Sequence, residues 1–135
     1  MRAIEKNEEG IALIEKNAKR FGFDNLVITK GIAPECFPMD EVPTHAVIGG
    51  SDGHLEEILK ALLCRNDKIT VVVSAVTLET VSLLHQVMKQ KLFARQELLQ
   101  VQISKDATLG RFVCMKPQSP VWIACFSNEE REDDV

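Results

Sequence analysis

The feature that most constrains this chain is the run Ile69 to Val73, five successive β-branched residues. A continuous run of this kind suits a strand covered on both faces. His45 to Ile48 reads as a second buried strand. Between the two, Leu55, Ile58, Leu59, Leu62 and Leu63 recur at helical spacing. Strand, helix and strand in immediate succession argue for an α/β sheet flanked by helices.

The rest of the chain extends the pattern. Arg2 to Glu5 looks like the end of a strand. Asn7 is placed to cap a helix, with Glu8 and Glu9 in the first turn and Ile11, Ile14, Ala18 and Phe21 on the apolar face. Gly22 is its stop, and Leu26 to Thr29 reads as the next strand. Pro34, Pro38 and Pro43 mark residues 31–43 as loop. Ser51 or Asp52 is expected to cap the helix whose core face starts with Leu55. Thr77 is expected to cap a third helix carrying Val81, Leu84 and Met88. Leu98 to Ile103 and Val121 to Phe126 then read as a closing antiparallel pair, joined by a link containing Gly110. The predicted order is β-α-β-β-α-β-α-β-β.

Composition sets the class. The 135 residues suffice for one domain, read as 1–127, with an acidic, disordered tail over 128–135. No apolar run approaches the ~20 residues of a membrane span, and no signal-peptide pattern opens the chain. The expectation is a cytoplasmic protein without a membrane partner. The net charge of −4 disfavours a general nucleic-acid binder. The charge is uneven, since Lys89 to Lys116 holds six basic residues against two acids. Cys36, Cys64, Cys114 and Cys125 are widely spaced and read as reduced, mostly buried thiols rather than metal ligands.

Ligands of doubly wound sheets bind beyond the carboxyl ends of the strands. Three stretches fall there. Glu5 and Lys6 end the first strand, where a carboxylate can accept the two hydroxyls of a ribose. Gly31, Ile32 and Ala33 follow the next strand, and small side chains there could frame an adenine. Ile48-Gly49-Gly50-Ser51-Asp52-Gly53 is a glycine turn between strand and helix that allows close backbone approach. Each stretch alone also reads as an ordinary turn or a solvated strand end. No nucleophile-and-base pattern is present, which fits chemistry carried by a cofactor.

Taken together, these stretches resemble one family. Ala3-Ile4-Glu5-Lys6-Asn7, Gly31-Ile32-Ala33-Pro34-Glu35, Ile48-Gly49-Gly50-Ser51 and Ala75-Val76-Thr77-Leu78-Glu79-Thr80 look like the decarboxylating precorrin-6Y methyltransferases. The last two stretches are the most specific. The resemblance implies a Rossmann-like class I fold that uses S-adenosyl-L-methionine in cobalamin biosynthesis. It implies methylation of a tetrapyrrole at C15 and loss of the C12 acetate carboxyl. Glu5, Lys6, Ile32, Ala33 and Gly49 would meet the cofactor. Gly50, Ser51, Gly53 and Arg111 would meet the precorrin. No metal site is implied, and homo-oligomers, tetramer or dimer, are expected.

The chain departs from the family in three places. The family carries Asp where Ile32 stands, and an apolar residue there cannot accept a hydrogen bond. It often carries Asn at the position of Ser74. It also has a strand and a G-x-G-x-G-type loop before Glu5, where only four residues stand here. Without that first, central strand the flanking strands would lie about 10 Å apart. Unpaired buried backbone groups at that seam would cost about 1–3 kcal/mol each. The expectation is a rearranged sheet or association with another chain. The alternatives are a non-catalytic, oligomerising remnant of such an enzyme and, less favoured, a nicotinamide-dependent enzyme.

Overall fold

Arg2–Glu5 forms β1, Glu8–Phe21 forms α1 and Val27–Lys30 forms β2 in the computed structural model, which describes residues 1–129. β1 and β2 run parallel, with Ala3 opposite Ile28 and Glu5 opposite Lys30. A parallel pair needs a crossover, and α1 supplies it. Asn7 occupies the N-cap position with extended backbone, but its side chain makes no capping bond. Its backbone N–H donates to the Glu5 carboxylate instead, at 2.8 Å. Gly22 closes the helix in the left-handed region at φ 67°, where a side chain would be strained.

These elements and the loop to Glu41 make one compact unit, Met1–Glu41, and a second unit begins at Val42. The first unit has no fully buried residue. Ile11, Ile14 and Ala18 are half-buried, whereas Phe21, expected on the apolar face, is exposed beneath the Arg20 guanidinium. So short a segment can enclose little core of its own. Arg2 ties its ends together. Nε and Nη2 donate to Glu41 at 2.9 and 2.5 Å, and Nη1 donates to Thr29 at 2.5 Å. The Arg2 hydrogen bond holds the Glu41 carboxyl below the usual glutamate range and raises Arg2 in return. Arg2 is half-buried but Glu41 is solvent-exposed, so the pair adds little stability.

The second unit holds β3 (His45–Ile48), α2 (Leu55–Arg65), β4 (Thr70–Ala75), α3 (Leu78–Lys89), β5 (Arg95–Val101), β6 (Ser104–Leu109), β7 (Phe112–Pro117) and β8 (Val121–Ser127). Four strands form a sheet in the order β3-β4-β8-β5. β3 and β4 are parallel, and β8 is antiparallel to both of its neighbours. The closing antiparallel pair is therefore β5 with β8, Leu98 opposite Ala124. β1 and β3 belong to different sheets.

The buried apolar residues all lie in this unit. Leu55, Ile58, Leu59 and Leu62 of α2 and Leu84 and Val87 of α3 are buried with Val71, Val73, Ala75, Ala124 and Phe126 of the sheet. The rings of Phe93 and Phe126 meet at 5.3 Å, a separation typical of tilted aromatic pairs. The Thr77 hydroxyl caps α3 as expected, accepting from the Thr80 N–H at 3.3 Å. Full burial on both faces is not met. β4 alternates buried and half-buried residues, and Val47 on β3 is 81% exposed. The buried side of β4 is the one that carries Val71, Val73 and Ala75, and α3 packs against that strand and against α2.

Several boundaries moved. β2 and β4 each start one residue later than predicted, β4 runs on to Ala75, and β5 spans Arg95–Val101 rather than Leu98 to Ile103. The link containing Gly110, to which no strand was assigned, is the hairpin β6–β7, turned by Gly110 and Arg111 with Leu109 opposite Phe112. Gly110 adopts φ 60°, which suits a two-residue hairpin turn. The cysteines are free thiols but are not buried: Cys64 and Cys114 are exposed, and Cys36 and Cys125 are half-buried. Most of the acidic tail lies outside the described residues. Asn128 is fixed, its Oδ1 accepting from the Ala94 N–H at 2.7 Å and its Nδ2 donating to the Asp67 carbonyl at 2.9 Å.

Candidate cofactor and substrate site

Parallel strands β1 and β2 end side by side, and their ends bring two of the predicted stretches together. The Gly31 N–H donates to the Glu5 carbonyl at 3.1 Å. That bond continues the ladder one step past Glu5 and Lys30, so the Gly31-Ile32-Ala33 loop leaves the sheet beside Glu5. One oxygen of the Glu5 carboxylate, Oε1, accepts from the Asn7 N–H. Lys30 donates to Glu8 in the first turn of α1. Lys6 is exposed next to them.

Gly10 fixes where the Glu5 side chain can lie. A Cβ at Gly10 would sit 2.7 Å from Glu5 Cδ and 2.8 Å from its Cγ. The carboxylate is thus laid across the first turn of α1, in space that only a glycine leaves open. Gly31 has a comparable role, since a Cβ there would meet Cys36 Cβ at 2.8 Å. The loop then turns tightly, with Cys36 N–H donating to the Ile32 carbonyl and Phe37 N–H to that of Pro34, both at 3.1 Å. Ile32 is 45% exposed and Ala33 half-buried. Reasoning from sequence did not single out Gly10. Its signal was a glycine inside a helical pattern, at a site where alanine is the better helix former.

The glycine turn lies in the second unit, beyond the carboxyl end of β3. The expected cap was wrong here. Neither Ser51 nor Asp52 caps α2; the N-cap position is His54, without a side-chain capping bond. The intervening turn is closed by the His54 N–H donating to the Ser51 carbonyl at 2.7 Å. Asp52 and Gly53 hold positive φ, 47° and 88°, so the chain reverses before the helix can start. The helix N-terminus therefore lies farther from Gly49 than the sequence suggested. Gly49 and Gly50 themselves have open space beside the backbone. A Cβ at Gly49 would meet Ser74 Oγ only at 3.9 Å, and one at Gly50 would meet nothing within 4 Å. Neither packing nor a positive φ demands glycine there, whereas close approach of a ligand would.

The basic segment is not one surface. Lys89 ends α3 and Lys91 follows it, and Arg95 opens β5 opposite Ser127, beside Thr70 at the amino end of β4. Lys105, Arg111 and Lys116 lie on the hairpin that follows the opposite end of β5. A concavity of about 620 Å³, lined by Thr70, Arg95, Glu97, Cys125 and Ser127, belongs to the amino-end group. It is not at the glycine turn, and a sheet of this type binds ligands at the other end.

The family profile described as the precorrin methyltransferase domain matches residues 1–127. This chain belongs to that family. A probable cobalt-precorrin-6B C(15)-methyltransferase (decarboxylating) of Pyrobaculum calidifontis is 30% identical over 122 residues, covering 90% of this chain and 62% of the relative. Its counterpart in Methanothermobacter thermautotrophicus is 32% identical over 124 residues, covering 88% of this chain and 62% of the relative. The crystal structure of precorrin 8w decarboxylase from Methanobacterium thermoautotrophicum superposes with a TM-score of 0.82 at 29% identity, covering 93% of this chain and 68% of that one. This chain thus spans a little over three-fifths of the length of these curated relatives. The fold is the Rossmann-like class I methyltransferase fold, shared with methyltransferases of other specificities.

Proposed function

We propose that this chain is an S-adenosyl-L-methionine-dependent C-methyltransferase of cobalamin biosynthesis, acting on C15 of a precorrin with loss of the C12 acetate carboxyl. The reading rests above all on the pairing of Glu5 with the Gly31–Ala33 loop at one strand end, held by the Gly31 to Glu5 hydrogen bond. It is supported by the names of the relatives, which specify C(15) methylation with decarboxylation.

The residues present fit the nucleoside half of the cofactor. Glu5 offers a carboxylate whose position is set by Gly10 and by the Asn7 N–H. Such a group accepts both hydroxyls of a ribose through charge-assisted hydrogen bonds. Ile32 presents an exposed apolar side chain, suited to the flat face of an adenine but not to its amino group. Lys6 and Ala33 border the same site. In the second unit, Gly49 leaves its backbone open, and Gly50, Ser51, Gly53 and Arg111 would hold the precorrin.

When bound, the cofactor supplies an activated methyl group that an electron-rich ring carbon can take up without a protein base. The chain's task is then to orient its ligands. Glu5 orients the ribose within the first unit, while in the second unit the open backbone at Gly50 lets the precorrin approach and the hairpin cations hold its carboxylates. Mass spectrometry of cobalt-precorrin-6B incubated with the full chain and S-adenosyl-L-methionine tests the proposal. Gain of one methyl and loss of one carboxyl are expected, with both lost in Glu5→Gln. An unchanged substrate would favour the non-catalytic alternative.

We also propose that the chain is a homo-oligomer. β3 is paired on one side only among the described residues, by β4, and exposes Val47. An open edge with an exposed apolar residue is a pairing surface unless another chain covers it.

A further inference from the structure

We infer that one face of the β6–β7 hairpin is a receptor for a flat ring system bearing several carboxylates, with Lys105, Lys116, Arg111 and Phe112 as its contacts. The inference rests on the tetrapyrrole reading above and gives that substrate a specific surface.

Residues directly opposite in a two-stranded ladder share a face. The register places Lys105 opposite Lys116, Ala107 opposite Cys114 and Leu109 opposite Phe112, so these six occupy one side of the hairpin. Asp106, the only acid of the two strands, pairs with Met115 and so belongs to the other side. Arg111, in the turn, lays its guanidinium over the Phe112 ring at 5.1 Å from the centroid. The favoured face therefore has two cations at its base, a small apolar middle in which Ala107 is half-buried, an exposed apolar tip, and a third cation over the tip's aromatic ring. Phe112 is 62% exposed and Leu109 69% exposed.

Lysines directly opposite in a ladder repel each other, and natural sheets favour opposite charges there. An anion between them removes the repulsion and accepts from both. Cations flanking an apolar strip suit a macrocycle whose carboxylates project from its rim. Its face meets Phe112 and Leu109, and its carboxylates meet the lysines and Arg111. The hairpin's place in the fold agrees. It follows the carboxyl-end side of β5, opposite the end that carries Arg95, and that is where sheets of this type bind ligands.

The test is a fluorescence titration of the full chain with uroporphyrin I, an eight-carboxylate macrocycle, in parallel with protoporphyrin IX, which has two. The expected result is tighter binding of the octacarboxylate, weakening as salt rises. The pair Lys105→Gln with Lys116→Gln should lose about tenfold in affinity, Phe112→Ala should lose less, and Lys105→Arg with Lys116→Arg should retain binding. Circular dichroism confirms that each variant folds, and the arginine pair serves as the control if the glutamine pair does not. Equal binding by wild type and the glutamine pair would overturn the inference. So would equal affinity for the two porphyrins, or a change of sedimenting mass in Phe112→Ala that marks the face as a contact between copies. Glu5→Gln separates this inference from the cofactor reading. It should leave porphyrin binding unchanged while abolishing binding of S-adenosylhomocysteine, so either result can fail alone.

Discussion

Gly10 shows how a single hydrogen can position a functional side chain. Adding a methyl there brings it within 2.7 Å of Glu5 Cδ, the mobile end of a side chain rather than backbone. The fold can therefore give way at little cost, and alanine also gains about 1 kcal/mol of helix propensity over glycine. Gly10→Ala should leave the melting temperature unchanged or higher, yet weaken adenosine binding by displacing the carboxylate. Thermal melts and calorimetry on the same variant check this, and loss of stability with intact binding would contradict it. Ile32 is the complementary case. It stands exposed and apolar in the loop beside Glu5, so Ile32→Asp supplies an acceptor that the loop lacks. One hydrogen bond to a charged group is worth about 1.5–3 kcal/mol before solvent screening. Calorimetry should show about a tenfold gain in adenosine affinity, and no gain would mean that the loop does not face the base.

At the scale of elements, the readable parts were those where local and tertiary signals agree. β1, α1, α2 and α3 were legible because apolar periodicity, first-turn acids and stop residues such as Gly22 coincide. The β5–β8 pair was legible because Val121 to Phe126 is an apolar run introduced by Pro120. The hairpin was not. Its strands mix Lys105, Asp106 and Lys116 with Leu109 and Val113 and expose both faces, so there is no buried side to imprint an alternation. The α2 cap was missed because positive φ at Asp52 and Gly53 reverses the chain first, a backbone event that no capping residue announces. Of the site, Glu5 and the Gly31–Ala33 loop were named from the sequence. Gly10 was not, because its role is to be absent from a particular volume.

For the whole molecule, the open question is what lies against β3. Its edge strand is short, partnered only by β4 among the described residues, and carries a strongly exposed Val47. Such an edge is stable in water when another chain pairs with it, and a lysine on it blocks pairing. Sedimentation should find the wild-type chain as a dimer or tetramer and Val47→Lys as a smaller species with unchanged circular dichroism. A wild-type monomer across the concentration range would exclude this edge as the contact.

The account depends most on a nucleoside site built by Glu5 and the loop beyond β2. Amide chemical shifts of the isotopically labelled full chain, followed as S-adenosylhomocysteine is added, report on it most directly. Saturable shifts are expected at Glu5, Lys6, Gly31, Ile32 and Ala33. No saturable change up to about 1 mM ligand, the limit of weak binding near 4 kcal/mol, or shifts confined to residues after Val42, would contradict it.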